Sequence, residues 1–300
     1  MRSQNARRRT GTAPWISTLA LAAAVCMTVP ASAAAAQTAD PAPRAAHGRT
    51  LEAPAVSARP FVEVRRYDAP EASQGVAVDS EFFYAVGNRR IAKYERETGA
   101  KVREWRGEAD GPVIHLNSCV VIEASLVCAH SNHPGVPMLS SIEIWNTDTL
   151  EHTESISFGI YDGSLTWAIP QDGSWWLNFA HYGNESGTPG KGSEWTSLIQ
   201  FDANWHRQAG YAYPVELIER LTPNSLSGGN WSAEGRLYVT GHDEAEIYVL
   251  ELPAMGSVLR WVETIPAPMH GQAWVFDPKD DATVWGLVRS ARQVVVGRRR

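Results

Sequence analysis

The chain lacks the local signatures of the commoner chemistries. It has no Gly-x-Ser-x-Gly elbow, no P-loop and no dinucleotide fingerprint, so elbow-type hydrolysis and nucleotide binding have no local support. It has no His-Glu-x-x-His helix and no Cys-x-x-Cys pair, which removes the ready-made zinc motifs. Positive charge is not in excess: 27 Lys and Arg stand against 33 Asp and Glu, a formal net charge of -6. No basic stripe appears, and nucleic acid is not an expected partner. The terminal Arg298-Arg299-Arg300 reads as a solvated tail. Long apolar runs are missing too. The one candidate, residues 15–29, is too short to span a bilayer comfortably, so no membrane span is expected. Cysteine is scarce, with three in 300 residues.

What is present begins with a leader. Residues 1–14 carry Arg2, Arg7, Arg8 and Arg9 and no acid, and Ala31-Ser32-Ala33 follows the apolar run. These are the parts of a signal peptide over residues 1–33, cut by a peptidase that requires small side chains, and they imply ordinary secretion. Cys26 leaves with it. Residues 34–60 are rich in Ala and Pro without a period and read as a disordered spacer. Residues 61–297 remain as a single domain, long enough for one sizeable core. Its two cysteines, Cys119 and Cys128, flank a tight hairpin turning at Glu123-Ala124. That register sets them opposite each other at a non-hydrogen-bonded pair. Export favours a disulfide; two buried free thiols are the alternative.

Internal repetition decides the fold class. Five segments share one shape, a polar or small pair followed by two β runs. They start at Gln74-Gly75-Val76, Asn117-Ser118-Cys119, Gly163-Ser164-Leu165, Ser227-Gly228-Gly229 and Gln272-Ala273-Trp274. A third and a fourth strand follow in the first four units, with Asp, Asn, Thr or Gly turns between them. Four strands at a period in the forties describe a β-propeller blade. The fifth unit runs out of chain after three strands. Residues 61–67 form an unassigned strand at the other end. Pairing it with residues 293–296 completes the last blade and leaves no free edge at the seam. The expected fold is therefore all-β, a five-bladed propeller whose last blade is closed by an N-terminal strand. Most of the tryptophans fall on strands and read as blade-to-blade packing. Residues 183–191 form a Gly-, Ser- and Pro-rich insertion in blade three, and residues 214–221 form a short helix before blade four.

In a propeller the inner strands line a channel, and their starts lie on the same face as the ends of the second strands. Two rings of residues then meet at one mouth. The first ring is Gln74, Asn117, Ser164, Ser227 and Gln272; the second is Asn88, His130, His181, His242 and Arg289. Three consecutive blades thus offer His130, His181 and His242 at one repeat position. Three imidazoles on rigid strands suit a divalent metal (Zn, Mn, Fe or Ca) and leave positions open for water and substrate. Hydrogen bonds from these histidines to loop carbonyls are the structural alternative. Arg289 offers a fork for a carboxylate, or else a salt bridge to a loop acid. Gln74, Asn117, Ser164, Gln272 and Asn88 are expected to contact substrate. His115, His270 and Tyr161 are the candidate proton carriers, with Asp162 or Asp243 as orienting acids. His47, His133, His152 and His206 receive no role.

Several of these segments carry a family resemblance. Gln74-Gly75-Val76-Ala77-Val78-Asp79, His115-Leu116-Asn117-Ser118, Ala129-His130-Ser131-Asn132, Phe179-Ala180-His181-Tyr182 and Thr240-Gly241-His242-Asp243 resemble motifs of secreted bacterial β-propeller proteins labelled "cycloisomerase", with YVTN- or quinoprotein-like repeats. The resemblance runs from about Phe61 to Val296. It implies a propeller and, by its label, an isomerase- or lyase-like activity. A histidine cluster at a propeller mouth is also similar in arrangement to the metal sites of oligogalacturonate lyases and carotenoid oxygenases. The expectation is a secreted, metal-assisted lyase, isomerase or lactone-acting enzyme. It would be a monomer, acting on a small acid or carbohydrate-derived substrate. A non-catalytic propeller that binds a glycan or peptide is the competing reading.

Overall fold

Runs of Val, Ile, Tyr, Phe and Trp become strands wherever Gly, Asn or Asp can turn the chain between them. The structure, a computed structural model, describes residues 53–300. The expected signal peptide and most of the expected spacer lie outside the described residues.

Strand β1 (Phe61–Asp68) leads into blade one, which is β2 (Gly75–Val78), β3 (Phe82–Gly87), β4 (Arg90–Glu95) and β5 (Lys101–Arg106). Blade two is β6 (His115–Ile122), β7 (Ser125–Ser131), β8 (Leu139–Asn146) and β9 (His152–Ile160). Blade three is β10 (Ser164–Gln171), β11 (Ser174–Ala180), β12 (Ser197–Phe201) and β13 (Arg207–Ala212). A helix, α1 (Val215–Leu221), precedes blade four, which is β14 (Gly228–Trp231), β15 (Leu237–Thr240), β16 (Glu246–Glu251) and β17 (Arg260–Pro266). Blade five is β18 (Val275–Asp277), β19 (Asp280–Val288), β20 (Gln293–Arg299) and, outermost, β1. Each blade is an antiparallel four-stranded meander. The chain is a five-bladed β-propeller closed by its N-terminal strand, as the repeat predicts. The Asp172-Gly173 turn shows the local cause: both residues have positive φ, 50° and 75°, the backbone twist a two-residue hairpin needs.

Burial falls from the axis outward. Every residue of β2 is buried, whereas β9 is mostly exposed. Neighbouring inner strands touch in a closed cycle, β2 to β6, β10, β14, β18 and back to β2. Between neighbouring blades lie five apolar clusters. Trp145 packs with Tyr84 and Leu116 between blades one and two. Trp167 and Trp231 share a cluster between blades three and four that α1 completes with Leu217, Ile218 and Leu221. At the seam, Tyr67 of β1 lies 4.7 Å from Phe83 and 5.8 Å from Trp285, ring centroid to ring centroid. Its hydroxyl donates to the Arg96 carbonyl, and Arg96 pairs with Asp277. Residues 53–60, the end of the expected spacer, run beside β17, where the Ser57 amide donates to the Thr264 carbonyl at 2.7 Å.

Cys119 and Cys128 form a disulfide. They face each other across β6 and β7 with Cα atoms 4.0 Å apart, the close approach of a non-hydrogen-bonded pair. The turn at Glu123-Ala124 lies where the register requires, between paired Ile122 and Ser125. Replacing both cysteines by alanine should lower stability by about 2–3 kcal/mol, because the unfolded chain regains the entropy of an open loop. Equal urea midpoints for the oxidised protein and the double variant would refute this.

Candidate functional site

The inner ring first serves the scaffold. Asn117 Nδ2 donates to the Leu165 carbonyl at 2.8 Å, Thr166 Oγ1 to the Leu226 carbonyl at 2.9 Å and Thr240 Oγ1 to the Gln272 carbonyl at 2.6 Å. The Ala273 amide returns the pattern to blade one through the Gln74 carbonyl at 3.1 Å. With the Leu116 amide, which donates to the Asn88 carbonyl at 2.9 Å between blades one and two, these bonds stitch each blade to the next around the axis.

Above them is a cavity of about 250 Å3. Gln74, Asn117, Thr166, Ser227 and Gln272 line its lower part, one from each blade. His115, His133, Tyr182, His242 and Arg289 form the wall above. The lining is polar, and two of its groups are unsatisfied. Gln272 Nε2 and His133 Nδ1 are buried without a hydrogen-bond partner among the described residues. Buried polar atoms normally find partners, so these two mark the wall as polar and incompletely satisfied. Gln272 is 3 % exposed, and its backbone is held at φ +64°, a conformation that a non-glycine residue keeps only when its surroundings enforce it. The enforcement is visible. Its amide donates to the Gly241 carbonyl at 3.0 Å, its carbonyl receives Thr240, and Gly271 before it lies so close to the His242 carbonyl that a Cβ would collide.

Two histidines of the wall, His115 and His133, are kept neutral. Burial, followed by the charges of His133, His130 and Arg289, pushes His115 down to about 3. Burial and then His242 lower His133. The His133 ring packs between His115 and Tyr182, with centroids 4.9 Å and 5.1 Å away. Burial raises the Tyr182 hydroxyl, which stays protonated as a donor.

His242 has a defined tautomer. Arg289 Nη1 lies 2.9 Å from His242 Nε2. A guanidinium can only donate, so Nε2 accepts and the ring proton is on Nδ1. Nδ1–H donates to Asp243 Oδ1 at 2.6 Å, and Asn224 Nδ2 holds the other carboxylate oxygen at 2.9 Å. Burial pushes the Asp243 carboxyl upward, but hydrogen bonds from His242 and Asn224 and the charge of Arg289 outweigh it and hold it down. The result is an imidazole oriented by a carboxylate, the arrangement of a general base.

The structure separates the residues that the repeat groups together. Only His242 of the three expected metal ligands reaches the cavity. His130 receives the Ile114 amide on Nε2 at 3.1 Å and bonds Ser141 Oγ through Nδ1 at 2.8 Å. His181 turns Nε2 onto the Asp162 carbonyl at 2.6 Å, and its Nδ1 is buried without a partner. No group of three His, Cys, Asp or Glu side chains among the described residues is placed to hold a metal ion. The expected three-histidine centre is therefore not assembled. Strand ends give the reason. His130 lies inside β7, His181 one residue beyond β11 and His242 two residues beyond β15. Each step of one residue near a strand end redirects the side chain, so one repeat position becomes three places.

Other expectations divide similarly. His115, Arg289, Gln74, Asn117 and Gln272 line the cavity. Ser164 is fully buried below it and donates to Ser131 Oγ at 2.8 Å. Asn88 is exposed and accepts from Gln74 Nε2 at 2.6 Å, acting behind the wall. His270 sits outside, in a neighbouring depression with Asp243, Arg289 and Arg292. Tyr161 is displaced altogether: its ring packs 4.8 Å from Phe179 and also on Phe158 and Phe201, in an apolar cluster. Asp162 pairs with Arg207 and orients no histidine of the mouth. His133 and Tyr182 were the residues missed. Tyr182 was within reach, because it follows His181 and points to the mouth that His181 turns away from. Nothing local marks His133.

No family model matches the chain, and no curated protein matches it. Solved structures with a similar course include a luciferin-regenerating enzyme, 11% identical, covering 80% of this chain and 95% of that one with a TM-score of 0.46. Hydrazine synthase of Kuenenia stuttgartiensis is 12% identical over 74% of this chain and 70% of that one, TM-score 0.43. The β-propeller domain of Myceliophteria thermophila Cps50 (Swd1) is 10% identical over 74% and 81%, TM-score 0.40. Likeness of this degree says nothing about the role of any residue.

Proposed function

We propose that the propeller mouth binds a small acid or sugar-derived molecule and moves a proton on it, as a lyase, an isomerase or a lactone-acting enzyme does. The observation that carries this reading is the His242–Asp243 pair, with His242 on the wall of a polar cavity lined by side chains of all five blades. His242 would take the proton, and Asp243 would balance the imidazolium charge that results. Neutral His115, Gln272 Nε2 and the Tyr182 hydroxyl would donate to oxygens on which negative charge develops. Metal-assisted chemistry at His130, His181 and His242 is no part of this reading, because those rings turn their nitrogens to three unrelated partners. The resemblance of several motifs to those of secreted propellers labelled "cycloisomerase" supports the same reading. The leader-like N-terminus and the Cys119–Cys128 disulfide support a place outside the cytoplasm.

The test uses glucuronate as a first probe, with solvent-deuterium incorporation and product formation followed by NMR over a panel of sugar acids and lactones. Glucuronate should bind, as read by calorimetry. Gln272→Asn withdraws the amide by one methylene yet tolerates the left-handed backbone, so affinity should fall about tenfold, the worth of one buried hydrogen bond, at an unchanged melting temperature. His242→Gln should lower turnover or exchange by about 100-fold or more while binding persists. A second reading, a module that holds a glycan without reacting, has one observation of its own. The lower lining of amides and hydroxyls from all five blades suits sugar hydroxyls. Binding by the whole panel without any exchange or product would establish that reading and end the first.

A further inference from the structure

Arg289 stands out at the mouth. It is exposed and makes no salt bridge among the described residues. Its one side-chain hydrogen bond there is the 2.9 Å contact to His242 Nε2. That contact sits on the lone pair a general base must use. A guanidinium covering a neutral imidazole is also a weak match, because its planar fork fits a carboxylate better and charge-assisted pairs are roughly twice as strong.

We propose that Arg289 is a mask on His242, and that the carboxylate of the substrate removes it. Resting on the acid–base reading above, this fixes the substrate class as carboxylates and gives the arginine a positioning role. An incoming carboxylate takes the Arg289 fork and draws Nη1 away from Nε2. The freed lone pair then faces the substrate that released it. A proton passes from substrate carbon or oxygen to Nε2, and the electron pair of the broken bond stays on the substrate. The Nδ1 proton stays on the ring beside Asp243, so charge and protons balance without another reactant. Uncharged sugars, lacking the group that engages the fork, would bind to the amide ring without exposing the base.

The geometry makes an unusual forecast. Ligands ordinarily protect an active-site histidine from chemical modification; here the smallest carboxylate should expose it. Diethyl pyrocarbonate acylates an imidazole nitrogen that carries a free lone pair, and peptide mass spectrometry separates His242 from the other histidines. Adding acetate to the intact protein should speed His242 acylation about tenfold, the scale of one charge-assisted hydrogen bond that no longer has to be broken. Chloride at the same ionic strength should not. Arg289→Gln should react fast without acetate and gain nothing from it, with a melting temperature near that of the parent because the side chain is exposed. If acetate binds by calorimetry while His242 acylation holds steady or slows, the mask is wrong and the acid–base reading stands. If neither carboxylate binds, both fall.

Discussion

A chain that starts at Ala69 should lose its cooperative thermal transition, whereas one that starts at Ala53 should keep it. The missing piece is β1, which pairs with β20 from Phe61–Arg299 to Asp68–Gln293. Its loss bares a full edge of β20, a template for aggregation. It also removes two large buried side chains, Phe61 at 3 % and Tyr67 at 7 % exposure, each contributing about 1.5–3 kcal/mol by burial. Tyr67 is central to its cluster, lying against Phe83 and Trp285 and bonded to the Arg96 carbonyl. Against a total stability on the order of 5–15 kcal/mol, loss of both rings and a whole ladder removes most of what holds blades five and one together. Differential scanning calorimetry decides it. A sharp transition in the shorter chain would mean that the seam is held by something other than β1.

Acid should unfold the protein well before the carboxylates of an ordinary domain titrate. His115, His130, His133 and His181 all have lowered pKa values, with burial as the first cause in each. In the unfolded chain a histidine takes its proton near pH 6.5, while folded His115 refuses one until about 3. Between those values the unfolded state binds more protons, so stability falls as pH falls. The loss begins near pH 6.5 and ends near 3 for His115, and its total is on the order of 3–5 kcal/mol at about 1.4 kcal/mol per pH unit. The other three add smaller losses over the upper part of the same window. Glu71, held below its ordinary value by Lys101 and Tyr94 despite its burial, adds a further loss at the acid end. Urea denaturation from pH 7 to pH 4 should show the decline, and His115→Asn should flatten it by close to one proton. A midpoint constant from pH 6.5 to pH 4.5 would contradict this account.

Legibility in the sequence followed the range of the interaction. The hairpin of blade two was readable: the turn at Glu123-Ala124 and the facing Cys119 and Cys128 follow from pairing rules over ten residues, and of the two states left open, disulfide or free thiols, the structure has the disulfide. The helix before blade four was readable too, found over Val215–Leu221. Ring closure spanned the whole chain but still depended on one unpaired strand seeking one unpaired edge. The site was harder. Gln74, Asn117 and Gln272 line the cavity because the starts of inner strands face the axis, although Ser164 at the same repeat position is buried. Second-strand ends obey no such rule, as His130, His181 and His242 show by ending in three environments. Tyr161 failed for a related reason, since a tyrosine beside a loop acid looks catalytic until Phe158, Phe179 and Phe201 close around it.

The amino-acid order by itself determined five repeated sheets, their closure and the cystine hairpin, because those depend on period, pairing and the need to bury apolar faces. Tertiary structure alone decided which side chains share the mouth. It brought Arg289 of blade five onto His242 of blade four, left Gln272 with an unanswered donor, and set His133 between His115 and Tyr182. Such meetings depend on where a strand stops, to within one residue, and on what the neighbouring blade presents there, and neither is written in any single repeat.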